Sequence, residues 1–110
     1  SVPRSTLSDP LHLGKNSLRK FWLYGREMEL AKFQGLMETL YGDDDRERGL
    51  SASVAWLCEE VGEFAQAIRK GTREQQLHEL GDVLAWISSL ANQLDISLEE
   101  AAERYVTNPP

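Results

Sequence analysis

The sequence predicts an all-α fold, an antiparallel bundle of three to four helices. Three observations predict it. From Met28 onward apolar residues recur at three- and four-residue steps, the spacing that gathers them on one helical face. Two segments, Thr72-Arg73-Glu74-Gln75 and Ser97-Leu98-Glu99-Glu100, match the capping box that opens a helix. No segment alternates with period two, so no strand is expected.

Residues 1–27 show no sustained period. Pro3, Pro10, Gly14 and Gly25 punctuate them around the apolar cluster Phe21-Trp22-Leu23-Tyr24. They read as an N-terminal extension, either foreign to the domain or an arm packing on a neighbouring subunit, with the domain itself spanning 28–110. The first helix carries Leu30, Phe33, Met37, Leu40 and Tyr41 on one stripe. Gly42 is expected to end it, leaving residues 43–49 as a charged loop, either solvated or with Arg46 or Arg48 folded over a phosphate. The second helix is expected to open at Ser51 or Ser53, either of which can cap free N–H groups. It runs to Lys70, with Val54, Leu57, Val61, Phe64, Ala65 and Ile68 facing the core. After Gly71 the third helix carries Leu77, Leu80, Val83, Leu84, Ile87, Leu90, Ala91 and Leu94. A short fourth helix fades near Asn108.

With 110 residues there is room for one domain, small enough to gain from a partner subunit. No apolar run approaches a membrane span and no leader pattern is visible, so the chain reads as intracellular and cytoplasmic. The single cysteine, Cys58, agrees with a reducing compartment and reads as a packed thiol. Residues 27–110 hold seven basic and seventeen acidic residues, a balance of −10. Such a body repels nucleic-acid backbones, but it can hold a phosphorylated small molecule if cations screen the charge.

Glu60 and Glu63 lie three apart, as do Glu79 and Asp82 on the next helix; each pair presents neighbouring carboxylates beside its apolar stripe. A short connection makes the two helices an antiparallel hairpin, which brings Glu63 level with Glu79 and Glu60 with Asp82. Four converging carboxylates repel one another unless hard cations join them, and an all-oxygen set favours magnesium or manganese. Trp56 and Trp86 fall together at one end of the cluster, placed either to stack on a nucleobase or to pack internally. Arg69, Lys70 and Arg73 lie at the other end, by the turn, as phosphate contacts or solvated residues. His78 is turned away from Glu79 and reads as facing solvent or a neighbouring helix.

The stretch from Trp56 to Lys70, holding Glu59-Glu60-Val61-Gly62-Glu63, followed by Glu79-Leu80-Gly81-Asp82-Val83, resembles the MazG-type nucleotide pyrophosphohydrolases of the all-α NTP pyrophosphatase superfamily. The likeness runs from about Met28 to Asn108. It implies magnesium ions on Glu60, Glu63, Glu79 and Asp82, and hydrolysis of nucleoside triphosphates between the α- and β-phosphates in nucleotide-pool sanitation. It also implies a basic residue and an asparagine four positions on in the last helix, the spacing of Arg104 and Asn108, and assembly as dimers or tetramers. Gly62 and Gly81 correspond to small residues that let helices or substrate approach. A narrower substrate, such as a deoxypyrimidine triphosphate or phosphoribosyl-ATP, and a catalytically idle helical interaction module are the competing readings.

Overall fold

A computed structural model describes residues 28–110; the expectation for residues 1–27 lies outside them. Among the described residues there are four helices and no strand: α1 Leu30–Arg48, α2 Leu50–Lys70, α3 Arg73–Gln93 and α4 Leu98–Thr107. The all-α expectation holds. Among the described residues no helix is long and apolar enough to cross a membrane.

α1 does not stop at Gly42. The helix runs six residues further, so the charged loop expected at residues 43–49 is its last turns. The place a Cβ would take on Gly42 is filled by the Glu38 carboxylate, 2.6 Å away. Glu38 thus lies along the helix and reaches Arg46 at 2.6 Å. Glycine here makes room for an ion pair two turns long, and Arg46 and Arg48 in the last turn offset the negative end of the helix dipole. The helix ends at Gly49, whose φ of 88° and ψ of 166° belong to a region open essentially to glycine alone.

Gly49 also precedes α2, and neither Ser51 nor Ser53 caps that helix. Ser53 lies inside it, donating to the Gly49 carbonyl at 2.9 Å and accepting from Gln93 Nε2 at 3.1 Å. The Thr72 capping box forms as expected, with Gln75 N donating to Thr72 Oγ1 at 3.1 Å and Thr72 N to Gln75 Oε1 at 2.8 Å. At α4, Ser97 Oγ accepts from Glu100 N.

α2 and α3 form the expected antiparallel hairpin, α1 packs on α3, and α4 rests on α1. Gln34 ties the start of α4 down, accepting from Leu98 N at 2.8 Å and donating to the Ile96 carbonyl at 2.7 Å. The face of α2 turned inward is not the expected one. Ser53, Glu60 and Ala67 are buried, while Val54, Val61 and Ile68 are about half exposed or more. On α3 Leu77, Leu80, Leu84 and Ile87, and Leu94 just after it, are likewise exposed, and only Val83 and Ala91 of the expected stripe are buried. The two helices meet along their small and acidic side, leaving much of the apolar stripes uncovered among the described residues. Cys58 is exposed for the same reason.

Candidate functional site

The hairpin register lays paired residues along one seam. Gln93 reaches Ser53 at the open end, and Gln76 Nε2 donates to the Ala67 carbonyl at 3.2 Å near the turn. Trp56 stacks on Trp86, ring centroids 6.0 Å apart and planes 11° from parallel. Between the indoles and the turn come the four acids. Single oxygens of Glu60, Glu63 and Glu79 lie within 4.8 Å of one another, and Asp82 groups in the same way with Glu79 and His78.

Burial, then the charges of Asp82 and Glu63, push the Glu60 carboxyl up to about 8. Glu79 is raised too, first by burial and then by a hydrogen bond with Glu63. Glu60 is only 1% exposed. One oxygen of Glu60 and one of Glu79 are buried without a hydrogen-bond partner, an arrangement that costs free energy unless something compensates. These residues fit a divalent cation: the donors are all hard oxygens, the set is short of positive charge, and Glu60 and Glu79 each bury an oxygen without a partner.

His78 stands closer to this cluster than the sequence suggested, with Nε2 3.4 Å from Asp82 Oδ2 and the imidazole more than half exposed. The signal was present in the spacing, since residues four apart on a helix share a face. Further neighbours were hidden by the loop expectation. Asp45, 1% exposed, pairs with Arg48 at 2.8 Å. The Arg48 guanidinium lies 4.9 Å from the Trp86 ring centroid, within cation–π range. Arg46 is held by Glu38 and Asp43. Trp86 is itself 1% exposed, and of the two indoles Trp56 keeps the accessible surface.

The remaining sequence candidates are not drawn into the cluster. Arg104 donates to the Tyr105 hydroxyl at 3.0 Å on α4, and Asn108 closes that helix by donating to the Arg104 carbonyl. Gly62 and Gly81 have open space where a Cβ would stand, so neither serves a close helix approach among the described residues.

A family model for the MazG nucleotide pyrophosphohydrolase domain matches residues 48–107, more than half of the chain. The chain is 43% identical over 63 residues to the uncharacterized protein YpjD of Bacillus subtilis (strain 168), covering 48% of this chain and 57% of that protein. It is 35% identical over 74 residues to the gene 37 protein of Mycobacterium phage L5, covering 57% of this chain and 65% of that protein. The chain thus spans less than two thirds of the length of either relative.

Proposed function

The chain belongs to the MazG nucleotide pyrophosphohydrolase domain family, and from that premise we propose that it hydrolyses nucleoside triphosphates between the α- and β-phosphates. The products are a nucleoside monophosphate and pyrophosphate. The observation that carries this reading is the convergence of Glu60, Glu63, Glu79 and Asp82, with buried oxygens lacking partners. In this reading the four acids hold Mg²⁺, with Mn²⁺ as a substitute. When bound, the cation screens phosphate charge and acidifies water.

The chain's own groups would do the rest. A carboxylate oxygen of Glu60 or Glu63 takes the proton of the attacking water. The water oxygen bonds to phosphorus, the Pα–O–Pβ bridge breaks, and the bridging oxygen leaves on the other product. Trp56 offers its exposed side to the base, and Trp86, clamped by Arg48, holds the indole pair in place. Arg104 on α4 and Asn108 just beyond it, which one copy does not draw into the acid cluster, are proposed as further phosphate contacts. A second copy of the chain is proposed to cover the exposed stripes of α2 and α3.

Purified protein with magnesium and a panel of nucleoside triphosphates, including deoxypyrimidine forms, tests the reaction. The expected result is pyrophosphate release in step with monophosphate. Orthophosphate as the first product would refute cleavage at this bond, and no turnover across the panel would favour a helical interaction module.

A further inference from the structure

We propose that the cleft at the α2–α3 turn seats the β- and γ-phosphates of the substrate, with Lys70 as the cation that holds them. The inference rests on the reaction just proposed, and it assigns an end to each part of the nucleotide. Along the hairpin the order is indole pair, Glu60 with Asp82, Glu63 with Glu79, then the turn at Gly71. A nucleotide with its base at Trp56 and its α–β bridge at the acids directs its terminal phosphates toward that turn.

A cleft of about 430 Å³ opens there, bordered by Glu63 and Glu79 on the acid side and by Lys70, Gly71 and Gln75 on the turn side. Of the three basic residues near the turn, Lys70 alone lines it; Arg69 and Arg73 do not. Lys70 has no ion-pair partner among the described residues, so binding an anion breaks no pair recorded there. The tightness of the turn fixes its place. A Cβ on Gly71 would come within 2.8 Å of Ala67 backbone atoms and 2.9 Å of Gln75 Oε1. The last residue of α2 is therefore held against the first turn of α3, whose Gln75 side chain is committed to the Thr72 cap. When the bridge breaks, negative charge grows on the leaving pyrophosphate, and an ammonium within reach of it is stabilising at that moment. A compact point charge also suits a group that must be released again.

The test is calorimetric titration of the full chain with magnesium pyrophosphate, alongside triphosphate kinetics. Lys70→Gln is expected to weaken pyrophosphate binding about tenfold, the loss of roughly one charge-assisted contact, and to raise KM for the triphosphate. Lys70→Arg should retain most of the affinity, and Arg69→Gln and Arg73→Gln should match the parent, with helicity by circular dichroism unchanged in all four. Unaltered pyrophosphate affinity in Lys70→Gln overturns the proposal. So does an equal loss in the two arginine variants, which would mean a diffuse field rather than a seat, or a parent chain that binds no pyrophosphate. The two readings fail separately. Lys70-dependent pyrophosphate binding without turnover keeps the cleft and removes the reaction, whereas turnover with Lys70-independent binding does the reverse.

Discussion

Burial and the nearby charges of Asp82 and Glu63 hold the Glu60 carboxyl at about 8, so at neutral pH it keeps its proton unless a cation compensates. The linkage has a definite sign. A carboxyl raised above its ordinary value of 4.5 costs nothing while both folded and unfolded chains are protonated. The cost grows as pH rises, because the unfolded chain ionises first. Metal-free protein is therefore expected to lose thermal stability between about pH 4.5 and 8. Glu60→Gln should flatten that profile, and magnesium should restore the melting temperature most at the alkaline end. Scanning calorimetry across this range with and without magnesium checks all three. Glu63→Gln and Asp82→Asn are each expected to lower turnover by at least a hundredfold with helicity retained, read by pyrophosphate release. The acids themselves were legible from their three-residue spacing and the hairpin. Their burial was not, because a spacing rule says which residues share a face and not which face a neighbour covers.

At the scale of the element, α1 shows how local signals mislead. A glycine followed by three aspartates reads as a stop, yet Glu38 fills the space above Gly42 and pairs with Arg46, while Arg48 pairs with the buried Asp45. Contacts two turns long and contacts to another helix outweigh the local preference. The capping box at Thr72 was legible because it is purely local, four consecutive residues satisfying each other's backbone groups. Thr72→Ala should cost about 1 kcal/mol in a denaturant titration. Gly49→Ala should cost more, about 1–3 kcal/mol, since its backbone conformation admits few other residues. Because that joint also sets Arg48 against Trp86, the same variant should raise KM if the indoles contact the base.

For the whole molecule, the hairpin has traded the faces the sequence assigned. The seam encloses Ser53, Ser88, Ser89 and Glu60, all 1% exposed or less, and the stripes of Val61, Leu80, Leu84 and Ile87 face outward. Helical periodicity revealed both faces and put the apolar one inward, because the spacing of residues along one helix does not say which face a neighbouring helix covers. If a second copy covers the stripes, Leu84→Glu should yield a monomer by sedimentation at micromolar concentration, with a lowered melting temperature. An unchanged oligomer would remove this face from the interface.

The buried apolar set of the described chain is short: Met37, Tyr41, Ala67, Val83, Trp86 and Ala91. Heat capacity registers such a deficit directly, because the increment on unfolding scales with apolar surface newly wetted. A lone copy would unfold with a shallow stability curve, well under the usual ~12–15 cal/mol/K per residue. If a second copy covers the outer stripes, it supplies the missing curvature, and the temperature dependence of folding then belongs as much to the neighbour as to the chain.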